Sequence, residues 1–204
     1  DSVTSRSVPF DEVVHPGDRN RFIHVVDNDN ESDVAGKVGA LPAVLPDLDA
    51  SVSTGRVVDF RAREHLRMQP ERGTVPLLYP IHLRDGRIQW PGASVKKCAA
   101  IVACAETANL MLPRGNYVLV RRFSSKEERR RVVATVLEDA DLDAETIAIE
   151  NHINVFHHQN TGLDLDLAWG LASYLNSTVL DQFFRQFNGH TQVNATDLRS
   201  LRYP

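Results

Sequence analysis

Apolar and polar positions along this chain fall into short blocks whose period changes. Tyr117–Val120 is a β-branched and aromatic run, which favours a strand. It leads straight into Arg121-Arg122, then Ser124-Ser125, then a charged stretch. Ser124 with Glu127, or Ser125 with Glu128, matches a capping box, in which a hydroxyl takes an orphan helix N–H and the carboxylate reaches back. The pattern predicts strand, turn, helix, with Val132, Val133, Val136 and Leu137 on the apolar face. At 100° per residue Lys126 and Arg129 fall near the middle of that face, and Arg131 points to solvent.

The blocks before this predict mostly strands. Pro9–Val14 and Arg21–Val26 read as strands about the turn at His15–Asp18. Asp27–Asp33 reads as a polar loop, and Gly39–Leu48 is too proline-rich for more than one helical turn. Ser51–Phe60 is apolar and β-branched, with Gly55 inside. That glycine marks a bulge, a close approach by another backbone, or a hairpin turn at Thr54-Gly55. Arg61–Met68 fits a short helix. Asp85-Gly86, between Val75–Leu83 and Arg87–Trp90, is the strongest hairpin signal. In Lys96–Thr107 the alanines favour helix and Ile101-Val102 favour strand. Pro113–Asn116 is a turn.

After the central segment, Ile147, Ile149, Ile153 and Val155 alternate with polar residues. This period of two predicts one strand beside Tyr117–Phe123, joined to it by a crossover. Leu165–Leu175 and Val179–Phe187 are amphipathic helices, the second capped by Ser177 and ended near Gly189. His190–Ala195 is extended, and Thr196 or Asp197 starts a last turn. No internal repeat is visible. Hairpins, a mixed or antiparallel sheet and a C-terminal cluster of helices give the class α+β, as one unit over residues 1–204.

Charge sharpens the picture. The chain carries 23 Lys/Arg and 27 Asp/Glu, a net charge of −4, so general polyanion affinity is not expected. Yet Arg114–Arg131 holds seven basic and two acidic residues, a local surface for an anion, of which a nucleic-acid backbone is the commonest. A solvated basic segment with internal ion pairs is the alternative. Arg121 and Arg122 match guanine edges. Asn151, Asn154, Gln192 and Asn194 match adenine edges, or else satisfy backbone at strand ends.

Two cysteines, Cys98 and Cys104, make no disulfide framework, so a reducing cytoplasm is expected. No apolar run is long enough for a membrane span, and no membrane partner is expected. The first residue is Asp1 rather than Met, which suggests a piece of a longer protein. Gly-x-Gly, Walker-type, Pro-Pro-aromatic and Gly-x-Ser-x-Gly signatures are absent. Asp59 is not followed by the Asp/Glu-x-Lys of a metal nuclease. His152, His157 and His158 lie near one strand without the spacing that converges ligands on a metal.

The segments VSTGRVVDFR (52–61), LLYPIHLRDGRIQWP (77–91), NYVLVRRFSSKEERRRVVA (116–134), ENHINVFH (150–157), LAWGLASYLNST (167–178) and FFRQFNGHTQVNATDLRSLRYP (183–204) resemble the C-terminal part of gamma-type adenine-specific DNA methyltransferases of restriction–modification systems. The similarity runs from about Phe10 to the end. RRFSSKEE together with GHTQVNATDLR is more specific than either alone.

The resemblance implies a DNA target-recognition domain that is not itself catalytic. Its partners would be double-stranded DNA and an N-terminal catalytic domain of the same protein, which would hold S-adenosylmethionine and flip the adenine; no cofactor is expected in this part. Arg121, Arg122, Ser124, Ser125 and Lys126 would meet phosphates, with Gln192 and Asn194 on a nearby loop or strand. Arg129, Arg130, Asn151, Asn154 and the pair Gly55-Arg56 complete the candidate set. A docking module, whose arginines pair with the acidic run Glu138–Glu145, and a metal-dependent nuclease are the alternatives.

Overall fold

The structure is a computed structural model that describes residues 5, 7–14, 16–17, 21–25, 29–92, 96–125 and 127–204. Lys126, and parts of the expected N-terminal strands, turn and loop (His15, Asp18, Val26, Asp27), lie outside the described residues.

The N-terminal segment departs from the strand pattern. Phe10–Val13 is a helical turn (α1), and Arg21–Val25 is irregular rather than a strand. The latter is tied by His24 N–H to the Val13 carbonyl and by Val25 N–H to that of Gln186, both at 2.8 Å. Asp29–Gly39 is a helix (α2), not a polar loop. Its buried stripe is only Ala35 and Val38, too thin to stand out among Asn and Asp. A single 3-10 turn, Leu45–Leu48, matches the proline-rich stretch.

The strands follow in chain order. Ser51–Thr54 is β1, and a 3-10 turn at Arg63–His65 leads to Leu66–Arg67 (β2), so the helix expected at Arg61–Met68 shrinks to one turn. Thr74–Leu78 is β3. Leu83–Arg84 (β4) and Arg87–Ile88 (β5) form the expected hairpin; Asp85 and Gly86 both have positive φ, 52° and 73°, as a primed two-residue turn requires. Ala100–Val102 is β6, which resolves the ambiguous stretch as strand, and Met111–Pro113 is β7.

The central prediction is half right. Tyr117–Arg121 is a strand (β8), but the expected helix ends as a second strand, Ala134–Leu137 (β9), antiparallel to it. The reason is burial. All four β9 residues and Val132 are buried, and burying each valine contributes about 2 kcal/mol, so two of them outweigh the roughly 1 kcal/mol of a helix cap. The later period-two stretch is also two strands, Thr146–Ile149 (β10) and Ile153–His157 (β11), in different sheets. β11 lies beside β8 as expected, but antiparallel and without a crossover.

The C-terminal helices are Leu165–Leu175 (α3), Thr178–Phe187 (α4) and Ala195–Ser200 (α5). Ser177 caps α4 as predicted, accepting the Leu180 N–H at 3.1 Å. The whole is α+β.

One sheet, in the order β1-β11-β8-β9, is antiparallel throughout. The other, β2-β6-β3-β10-β7, is mixed, with β3 and β10 parallel. The first sheet is sandwiched. Val118, Val120, Val136 and Phe156 face α3, α4 and α5, whereas Tyr117, Leu119, Ile153 and Val155 face Leu78, Ile147 and Ile149 of the second sheet. Burial on both faces makes its strands apolar throughout, which weakens their period.

Candidate functional site

At one end of the first sheet β8 overruns its neighbours and gathers two other segments. Arg122 N–H donates to the His152 carbonyl at 2.9 Å, Val193 N–H to the Arg122 carbonyl at 2.7 Å, and Ser124 N–H to the Thr191 carbonyl at 3.1 Å. Phe123 and Gln192 form an antiparallel bridge. Residues 121–125, 150–152 and 191–194, far apart in sequence, thus become one ledge.

The chain bends at Arg122 as it leaves the strand. Arg122 and Ser124 continue the face of Val118 and Val120 toward the helices. Arg121, in register with Ile153, keeps the face of Tyr117 and Leu119, and Phe123, past the bend, is exposed. Half-buried Arg122 organises the ledge: its guanidinium donates to the Asn151 carbonyl at 2.8 Å and to the side-chain oxygens of Gln192 and Asn194, each at 3.4 Å. The structure therefore brings together Arg121, Arg122, Asn151, Gln192 and Asn194.

Other candidates are drawn into the fold. Ser124 is buried and donates to the Arg131 carbonyl at 2.7 Å. Asn154 is fully buried in β11 and donates to the Val193 carbonyl at 2.8 Å, so its amide shapes the ledge from beneath and offers no edge to a base. Gly55 is buried too, and marks the close backbone approach: a Cβ there would sit 2.2 Å from the Glu150 carbonyl oxygen. Arg56 points elsewhere. Its guanidinium donates to the carbonyls of Asn109 and Met111 and, at 2.6 Å, to Asn160.

The arginine run after the ledge also departs from expectation. Arg131, placed in solvent by the helical pattern, is 1% exposed. Its N–H donates to the Asp181 carboxylate at 2.6 Å, and its guanidinium donates to Asn188 at 2.9 Å and to the His190 carbonyl. Burial lowers its pKa, with Arg185 adding to the effect. Arg129, expected to be partly covered, is exposed, because no helix forms to turn it inward. Arg130 is half-buried and donates to Thr178 at 3.4 Å. Ser125 N–H donates to the Glu128 carboxylate at 3.1 Å, one of the two capping-box bonds, made here in a loop.

The acidic run Glu138–Glu145 does not neutralise these arginines. Among the described residues the ion pair found in this segment is Arg121–Glu128 at 4.0 Å, while Glu138 accepts from the Trp169 indole at 3.2 Å. Nor do three His, Cys, Asp or Glu side chains converge as metal ligands among the described residues. His157 faces Ser53 and His158 the Asp49 carbonyl.

Sequence reasoning missed three members of the site. Phe123 is exposed, and its ring lies 5.1 Å from that of His152. Glu150, buried beneath, accepts the His152 N–H at 2.9 Å and pairs with its Nδ1 at 2.5 Å. The signal available was Arg121-x-Phe123, a period of two carried past the end of the apolar strand.

Over almost its whole length the chain is similar to Type II methyltransferases. It is 50% identical over 197 residues to Type II methyltransferase M.PstI of Providencia stuartii, covering 97% of this chain and 39% of that protein. It is 44% identical over 202 residues to Type II methyltransferase M.BsuBI of Bacillus subtilis, covering 99% and 40%. The chain thus spans about two fifths of the length of these curated relatives. No protein-family model matches it. No helix among the described residues is long and apolar enough to cross a membrane.

Proposed function

We propose that this chain is the DNA target-recognition part of an adenine-specific Type II methyltransferase of a restriction–modification system. The observation that carries the reading is the ledge itself. Two adjacent arginines, two amide side chains and a strand-end turn, widely separated in sequence, meet at one end of the first sheet, with Arg121 half-buried beside them and Arg129 exposed a few residues on. Cationic groups of this kind hold phosphates, and fixed amides and guanidiniums read base edges. The similarity to Type II methyltransferases supports the same reading.

In this proposal methyl transfer belongs to a separate catalytic domain of the same cytoplasmic protein. That domain holds S-adenosylmethionine, which supplies the methyl group for the exocyclic nitrogen of a flipped adenine. This chain's part is to grip the duplex and set its register.

A competing reading, a docking module, draws on the internal acceptors that hold Arg56, Arg122 and Arg131. Equilibrium binding of the full natural protein to duplex DNA separates the two. Replacing Arg121 and Arg129 by alanine should weaken binding and make the salt dependence shallower by about one unit per lost phosphate contact. Unchanged affinity and slope would favour the docking module.

A further inference from the structure

We propose that Phe123, backed by His152, is a stacking wedge that enters duplex DNA at the step beside an unpaired base. The proposal rests on the reading of the ledge as a DNA-gripping surface and assigns it an element that phosphate contacts do not supply.

Single exposed apolar side chains are ordinary on protein surfaces. Phe60 is more exposed than Phe123, 76% against 47%, and carries no proposal. Phe123 differs in three respects. First, its backbone cannot swing away: the chain before and after it is bonded to the 150–152 turn on one side and to the 191–193 segment on the other. Second, the ring is buttressed. The tilted His152 ring stands 5.1 Å from it, and His152 is fixed in turn by the buried Glu150 carboxylate at its backbone N–H and at Nδ1. Third, Arg121 lies two residues earlier, within about 7 Å from Cα to Cα, and its guanidinium is held only by a 4.0 Å pair with Glu128 among the described residues.

A rigid aromatic edge with a cation alongside matches the chemistry of a gap in a base stack. The ring replaces the lost stacking partner, and the cation meets the backbone that flanks the opening. A flexible ring would lose entropy on insertion; one held on a strand end has little left to lose. The Glu150–His152–Phe123 column therefore transmits the stiffness of the sheet to the tip of the side chain.

The test uses the full natural protein and two duplexes that carry the site it modifies, the site being mapped by sequencing modified adenines. One duplex is fully paired, and the other has a mismatch at the target adenine. Affinity is measured by fluorescence anisotropy. Phe123→Ala should bind the paired duplex about tenfold more weakly than the wild type, with less than about a twofold change on the mismatched duplex, where the base is already loose. Phe123→Trp should keep both affinities. Thermal melting of each variant checks that the fold is intact, and Phe123→Leu serves if the alanine variant melts early. Equal losses on both duplexes, or no loss on either, would overturn the wedge while leaving the gripping surface in place. Failure of the wild type to bind either duplex would remove the surface and the wedge together.

Discussion

The carbonyl oxygen of Glu150 occupies the space where a side chain on Gly55 would begin: an ideal Cβ there lies 2.2 Å from it. The contact is between two backbones. Gly55 N–H donates to the Ile153 carbonyl at 2.8 Å, and Asn151 N–H donates to that of Val57 at 2.9 Å. The turn that carries Asn151 and His152 is therefore seated directly on the chain leaving β1. Gly55→Ala should cost about 3 kcal/mol or more, since backbone on both sides must move. Urea unfolding measures this, and a loss under about 1 kcal/mol would mean that the approach is looser than described.

Arg122 and Arg121 are neighbours with different work, and substitution should separate them. Arg122 serves the fold, holding Asn151, Gln192 and Asn194 together. Arg122→Ala should lose about 2 kcal/mol of stability, because a half-buried carbonyl and two amide oxygens lose their donor. Arg121→Ala, which breaks only a 4.0 Å pair with Glu128, should stay within about 0.5 kcal/mol of the parent. Urea melts of the two variants decide this. Equal stability losses would show that both guanidiniums are structural and weaken the assignment of Arg121 to a ligand.

The parts of this molecule legible in its sequence are those governed by local chemistry. Asp85-Gly86 gave a primed hairpin turn, Ser177 a helix cap, and the prolines around Leu45 a single turn. The reading failed where tertiary burial overruled local signals. Ser125 and Glu128 make one capping-box bond with no helix behind it, because Val132–Leu137 is worth more as a strand between two layers. The candidate site was legible as a set of residue types. Its division into inward members (Arg122, Ser124, Asn154) and outward ones (Arg121, Phe123) depends on where β8 leaves the cover of the second sheet, and no spacing encodes that.

Two buried histidines should make the fold sensitive to mild acid. Burial pushes His82 down, opposed by its bond to Pro91, and burial followed by the nearby Arg56 and Arg199 pushes His157 down. Each uses Nδ1 as an acceptor at 3.1 Å, His82 from the Tyr79 N–H and His157 from that of Asn160, and protonation would abolish that bond. With the folded-state value lowered, the unfolded chain binds more protons in the window between the two values. The stability contributed is complete above the ordinary imidazole value of about 6.5 and is lost as pH falls through the lowered one. Asn in place of both histidines keeps an acceptor that does not titrate, so this double variant should lose stability less steeply than the parent below about pH 6.5. Asp197, raised by burial, acts in the opposite direction but is common to both proteins. Urea midpoints taken across this range make the comparison, and parallel curves would contradict it.

Arg131 supplies the strongest contrast between a charge that binds and a charge that builds. It lies among the arginines most suggestive of a phosphate contact, yet it is buried, and only one terminal nitrogen of its guanidinium finds acceptors, at Asn188 and the His190 carbonyl. Nε and the other terminal nitrogen have no partner among the described residues. A buried cation with more than half of its guanidinium donors unsatisfied is costly to desolvate, so what the fold gains from Arg131 is its length and its hold on the His190 carbonyl. Arg131→Ala removes both and opens a cavity, which should cost about 3 kcal/mol. Arg131→Met keeps most of the volume and sheds the unpaired donors, so its cost should stay near about 1 kcal/mol. In neither variant should the salt dependence of DNA binding by the folded protein change, since this guanidinium does not reach solvent. Equilibrium unfolding paired with binding titrations at several salt concentrations tests both halves. If Arg131→Met binds DNA with a slope shallower by about one unit, Arg131 meets a phosphate after all, and the loop that buries it must open on binding.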